Sequence, residues 1–287
     1  MKKRTIAILS DIHGLLEPLV AALDDIEKRG ITEIYSLGDN IGLGPNPKEV
    51  MELLKERNVI SIAGNWEEYI TLGKEPFNIY FDKEREENLQ YTLSQLSEEQ
   101  KYEIATYPHS IELLIGGKKI VLCHFSSDVR FDYREHSSYH YQFNIKLHRK
   151  AYKQFLYTNS KEQIYKLSKI LSKDNKEPEM KGYVSASNDP LFGGKEVNYY
   201  DAIIQGHVHF KIYEQGKSTN FYTIRALGIG YDKDPVDSAS YTILSEEDNG
   251  YNLEEVLVKY DRDNMKRKVL SMECSNDKLR KYIEIYK

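Results

Sequence analysis

Asp11 and His13 stand two residues apart, directly after the apolar run Ile6-Ala7-Ile8-Leu9. Carboxylate oxygen and neutral imidazole nitrogen both suit divalent cations, so the two together can hold one face of such an ion. The chain then repeats the device. Asp39 follows Gly38 after the stretch Ile31 to Leu37, Asn65 follows Gly64 after Val59 to Ala63, and His124 follows the run that ends in Cys123. His207 and His209 follow Gly206 after Asp201 to Gln205. Taken singly, these fragments carry little. A Gly-Asp or Gly-Asn pair is ordinary turn chemistry, Asp11 serves equally well as a helix cap, and a polar turn is the lesser alternative for Gly206-His207-Val208-His209.

The elements between them explain how such residues can meet. Short continuous apolar runs read as buried parallel strands, and here they alternate with helical patterns, which predicts βαβ units with their loops on one sheet edge. Leu16, Leu19, Val20, Leu23 and Ile26 share a helical face that stops at Gly30. In the next helix, Asn46 is placed to cap, Pro47 fits the first position, Glu49 completes a capping box, and Val50, Leu53 and Leu54 share a face. Trp66 to Pro108 reads as largely helical, with a second capping box at Ser97 and Gln100. Ile111–Ile115 and Lys118–Cys123 flank Gly116-Gly117 as a β-hairpin. Cys123 should face away from His124 on its strand and so is not expected to be a ligand. Ile212-Tyr213, Tyr222 to Leu227, Tyr241 to Leu244 and Val256 to Tyr260 read as a mostly antiparallel sheet. The whole is read as one α/β domain over 1–287, with an aromatic-rich insertion or lid at 126–200 and a C-terminal extension at 261–287. The insertion includes an expected helix from Lys161 to Leu171.

Composition narrows the class. The 287 residues are 40% hydrophobic and 30% charged, an ordinary globular balance, and the formal net charge of -5 gives no support to a nucleic-acid surface. Asp11 interrupts the first apolar stretch before it reaches signal-peptide length, and no run approaches a membrane span. Two cysteines are too few for a disulfide framework, which makes a reducing cytoplasm the expected location. His109, His136, His140 and His148 are assigned surface or packing roles. Arg130, Arg134, Lys146, Arg149 and Lys150 are assigned to a solvated face.

In order, Asp11-Ile12-His13, Gly38-Asp39, Gly64-Asn65, Cys123-His124 and Gly206-His207-Val208-His209 resemble the signature of the calcineurin-like metallophosphoesterases. The stretch Gly38 to Pro45 is similar to their small bacterial and archaeal phosphodiesterase branch. The resemblance implies a four-layer α/β/β/α sandwich and two divalent metal ions. Asp11, His13 and His209 would hold the first ion, Asn65, His124 and His207 the second, and Asp39 would bridge them. It further implies a catalytic role for Asp39 and Asn65, substrate contact at Asn65 and at the residue after it, Trp66, and hydrolysis of a phosphoester by a metal-bridging hydroxide. Three oxygen and four imidazole donors suit manganese, iron, zinc or nickel, and manganese is expected to support activity. Trp66 stands where most relatives carry a proton-donating His, so small, activated or nucleotide-type esters are the expected substrates, unless a histidine of the insertion such as His140 supplies the proton. Arg225 to Gly230 departs from the family's Asn-Pro-Gly-Ser turn. The competing class is a non-catalytic scaffold of the same fold, and a nuclease is disfavoured by charge.

Overall fold

A computed structural model describes residues 3–73, 83–125, 200–207, 209, 211–215, 219–229, 238–274, 277 and 279–280. The first half of the chain alternates as expected: β1 (Thr5–Leu9), α1 (Leu16–Lys28), β2 (Glu33–Ser36), α2 (Pro47–Glu56), β3 (Ile60–Ser61), α3 (Asn65–Leu72), α4 (Lys83–Gln95) and α5 (Glu98–Ile104). The hairpin β4 (Ser110–Ile115) and β5 (Lys118–Cys123) follows, then β6 (Ala202–Gln205), β7 (Ile212–Gln215), β8 (Asn220–Thr223), β9 (Ser238–Glu247), β10 (Gly250–Lys259) and α6 (Arg262–Leu270). The insertion, including its expected helix, the three histidines and the basic residues assigned to it, lies outside the described residues apart from Tyr200.

The strands form two five-stranded sheets, ordered β10-β9-β1-β2-β3 and β4-β5-β6-β8-β7. Because side chains alternate across a strand, a fully apolar strand feeds two cores at once. Ala7 and Leu9 of β1 pack beneath α1 and α2 with Leu19, Leu23, Ile26, Val50 and Leu54. Ile6 and Ile8 instead join Ile120 and Leu122 of β5 and Ala202 and Ile204 of β6 in a cluster that both sheets share. Val121, Cys123 and Ile203 face the opposite way, together with Tyr200 and Phe221, which agrees with the expectation that Cys123 points away from the site. The chain thus has the mixed α/β architecture expected, with helices over the outer face of the first sheet. Among the described residues no helix covers the outer face of the second.

Several local expectations are corrected. Asn46 does begin α2, but its side chain makes no capping hydrogen bond, so the box with Glu49 does not form. Pro47, at the first helical position, already removes one of the unpaired N–H groups of the first turn. The box at Ser97 does form, with Ser97 N–H donating to Gln100 Oε1 at 2.9 Å and Gln100 N–H to Ser97 Oγ at 3.1 Å. The third strand shrinks from the expected Val59 to Ala63 to Ile60–Ser61 at the sheet edge. β8 pairs antiparallel with β7 but parallel with β6, so the later half is more mixed than expected. The described part of the C-terminal extension forms the helix α6, whose Met265 and Val269 pack into one cluster with Leu15, Ile41, Met51, Trp66 and Ile70.

Candidate metal centre

β1, β2 and β3 run parallel, as do β5 and β6, and the candidate residues sit just past the carboxyl ends of these strands. Open α/β sheets bind ligands at that edge. The loops there are strained. Asp11, His13, Asp39, His207 and His209 all have positive φ, between 51° and 72°, which non-glycine residues rarely adopt. Strain of this kind costs about 1–3 kcal/mol per residue and persists where the surrounding structure imposes it, typically at functional sites.

The geometry forms two groups. Asp11, His13 and His209 offer atoms within 4.8 Å of one another, and so do Asp39, His124 and His207. In the first, His13 Nε2 lies 2.9 Å from His209 Nε2, and Asp11 Oδ1 is 3.4 Å from His209 Nε2. In the second, His124 Nε2 is 2.9 Å from His207 Nδ1 and 3.1 Å from Asn65 Oδ1. Asp39 Oδ2 reaches both, at 3.8 Å from His13 Nε2 and 3.5 Å from His124 Nε2. All seven residues singled out in the sequence therefore converge.

Each carboxylate keeps one oxygen for the protein and turns the other inward. Asp11 Oδ2 accepts from Ser10 Oγ and from His207 N–H at 2.9 Å, while the buried Oδ1 accepts no hydrogen bond among the described residues. Asp39 Oδ1 accepts from Trp66 N–H at 2.8 Å, leaving Oδ2 toward the imidazoles. His124 is oriented in the same way: its Nδ1 donates to Leu37 O at 2.8 Å, which makes Nε2 the lone-pair nitrogen facing inward. Paired backbone approaches hold the loops together. A Cβ on Gly64 would come within 2.4 Å of Asp39 Oδ1, so the Gly-Asn junction can lie against Asp39 only as glycine.

These donors fit a cation. Two imidazole nitrogens 2.9 Å apart either share a proton or share an ion. The inward end of the Asn65 amide has acceptors around it: His207 Nδ1 at 3.0 Å, His124 Nε2 at 3.1 Å and Asp39 Oδ2 at 3.2 Å. An NH₂ or a metal ion answers such a surround. Burial, assisted by His209 and opposed by Asp11, pushes His13 down to about 3, so its ring is neutral near pH 7 and can ligate. Burial alone would raise Asp11, but the facing imidazoles of His209, His124 and His13 override it and hold the carboxyl well below the usual range. Burial raises Asp39, with Glu67 and Asp11 adding to it against His124. A carboxylate in that position calls for compensating positive charge.

Two residues change the picture drawn from sequence. Trp66 serves the site through its backbone, and its indole is 4% exposed inside the cluster with Leu15, Ile41, Met51 and Ile70. It stands edge-on to Tyr69 and lies so close to Gly42 that a Cβ there would be 2.1 Å from Trp66 Cδ2. The indole therefore has a packing role, and substrate contact at position 66 remains an expectation. Glu67 went unnoticed in the sequence: it is 1% exposed, and its carboxylate accepts from three backbone N–H groups around Asp39 and Gly64. An acid at the third position of a helix following Gly-Asn was the available signal. His109, expected to be structural, stands 3.6 Å from Glu68 Oε1, on α3 beyond Asn65.

Comparison with known proteins points to one family. The family model described as calcineurin-like phosphoesterase matches residues 4–211. The uncharacterized protein MJ0912 of Methanocaldococcus jannaschii is 29% identical over 261 residues, covering 91% of this chain and 90% of its own length. Among solved structures, the hypothetical protein PH1004 of Pyrococcus horikoshii OT3 superposes with a TM-score of 0.64 at 18% identity, covering 98% of this chain and 95% of that one. A metallophosphoesterase from Sphaerobacter thermophilus gives 0.59 at 21% identity, with 97% of each chain covered. At such identities the two structures speak for the fold.

Proposed function

Since the chain belongs to the calcineurin-like phosphoesterase family, we propose that it hydrolyses small phosphoesters with two divalent cations at the converged site. Asp11, His13 and His209 would hold one ion, and Asn65, His124 and His207 the other, with Asp39 shared. Such a pair of ions would supply an activated water and charge stabilisation for both the attacking and the leaving oxygen of an in-line displacement. The chain's own part is to hold the donors. Ser10 and the His207 N–H orient Asp11, Leu37 O selects the His124 tautomer, and Trp66 N–H turns Asp39 Oδ2 inward. The observation that carries the reading is Asp39 Oδ2, within 4 Å of an imidazole nitrogen from each group, at 3.8 and 3.5 Å.

Manganese is the cation proposed to support activity, and the cytoplasm the location. Among the described residues no helix is long and apolar enough to cross a membrane. The test is hydrolysis of an aryl phosphodiester by the purified chain with Mn²⁺, beside Asp39→Asn. Losing a shared ligand removes several kcal/mol of charge stabilisation, a rate loss on the order of 10³-fold. A wild-type chain inactive with manganese, iron, zinc and nickel alike would favour the second reading, a weakly active or non-catalytic scaffold. Trp66 favours that reading, because its indole N–H is no acid near neutral pH and leaves the position without a general acid. If the chain is an enzyme, the same feature predicts a preference for activated or nucleotide-type diesters, since a positioned general acid contributes about 10²- to 10⁴-fold. Equal rates on aryl and alkyl esters would contradict it.

A further inference from the structure

We propose that Glu67 is a positioning residue whose carboxylate staples the Asp39 and Asn65 loops into the arrangement that binds the cations, an inference that rests on the metal-dependent reading above. Its Oε2 accepts from Asp39 N–H and Gly64 N–H, both at 2.8 Å, and its Oε1 accepts from Asn40 N–H at 2.8 Å. In a capping box an acid at the third helical position returns only to the N-cap N–H, which here is that of Gly64. The other two donors belong to a different loop, 28 and 27 residues away in sequence. One side chain therefore ties the loop after β2, which carries Asp39, to the loop after β3, which leads through Gly64 into Asn65 at the start of α3.

The residue type follows from the donors. Three N–H groups converging on one side chain require an acceptor-only group with oxygens at both corners of its fork, which an ionised carboxylate supplies and a carboxamide does not. Burying a carboxylate is costly unless it is fully hydrogen-bonded, and Glu67 meets that cost with backbone donors taken from the two junctions. Asp39 also gains from an external hold, because its φ of 52° lies in the left-handed region that residues with a Cβ adopt infrequently. Anchoring the N–H of Asp39 from one side and its Oδ1 from the other, through Trp66 N–H, leaves only Oδ2 free to turn to the ions.

The experiment is a Mn²⁺ binding titration on the full-length chain, comparing wild type with Glu67→Gln at a temperature where circular dichroism shows both folded. Gln keeps the volume but turns an NH₂ toward one of the donors. Partners behind the ligands of a metal site typically govern about 10- to 100-fold in affinity, and that loss is expected for Glu67→Gln. Ile70→Ala, on the same helix and buried in the cluster around Trp66, should lower the melting temperature and leave the Mn²⁺ affinity unchanged. A folded Glu67→Gln with wild-type affinity overturns the positioning role alone, whereas a wild type that binds no Mn²⁺ overturns the metal reading and this proposal with it. If Glu67→Gln does not fold, Glu67→Asp is judged by the same criterion. If both variants stay unfolded even at saturating Mn²⁺, Glu67 is a folding residue and the proposal fails.

Discussion

Replacing Trp66 by His tests whether the side chain at this position faces the site or the core. The family resemblance alone would make Trp66→His a repair that restores a proton donor. The structure predicts damage. The indole is 4% exposed and packs on Gly42, Tyr69 and the Leu15, Ile41 and Met51 cluster. An aromatic side chain of this size buries about 150–250 Å², which at about 25 cal/mol per Å² corresponds to roughly 4–6 kcal/mol of transfer free energy. Imidazole recovers only part of that area and adds a polar ring needing a partner, so the expected loss is about 3–5 kcal/mol, the range seen when core Trp is truncated. Against a total stability of about 5–15 kcal/mol this is a large fraction. At about 2–4 °C per kcal/mol it lowers the melting temperature by roughly 6–20 °C. Thermal unfolding of the metal-free protein measures the loss, and hydrolysis of alkyl against aryl phosphodiesters measures any repair. A Trp66→His chain that melts like wild type and gains selectively on alkyl esters would refute the packing assignment and place residue 66 at the substrate.

Three further outcomes follow from the same geometry. Adding Mn²⁺ to chelator-treated protein at 100 times its dissociation constant should stabilise the fold by about 2.7 kcal/mol, and a melting curve that ignores the ion would count against the site. Gly64→Ala should cost about 1–3 kcal/mol by overpacking and weaken Mn²⁺ binding, because the new Cβ would sit 2.4 Å from Asp39 Oδ1 and 2.5 Å from Asp39 N. Ser97→Ala, which breaks the capping box of α5, should cost about 1 kcal/mol in urea unfolding with no change in hydrolysis rate. A rate change there would show that α5 communicates with the site.

The candidate ligands were legible because each is tied to a local pattern. A short apolar strand followed at once by an acid, amide or imidazole, in most cases after a glycine or serine, marks a strand end whose neighbours in a parallel sheet present their loops together. That reasoning places Asp11, Asp39 and Asn65 on one edge without coordinates, since β1, β2 and β3 do run parallel. His124 and His207 needed the second sheet to be parallel at β5 and β6, as it is. What stayed hidden depends on contacts distant in sequence. Glu67 reads locally as an acid in the first turn of a helix, a commonplace position favoured by the helix dipole. Its meaning lies in two N–H groups of another loop, and only the approach of Gly38 and Gly64 brings them within reach. Trp66 is the same problem in reverse. Its place after Gly64-Asn65 pointed to the site, and its backbone does reach Asp39. The direction of the ring was decided elsewhere, by a space that Gly42 leaves open and that no residue with a Cβ would allow. Gly42 and Trp66 thus behave as a pair: the bulk added after the Gly-Asn motif is accommodated by bulk withheld from the loop after Asp39. The chain can therefore keep its ligand geometry while dispensing with an imidazole at position 66.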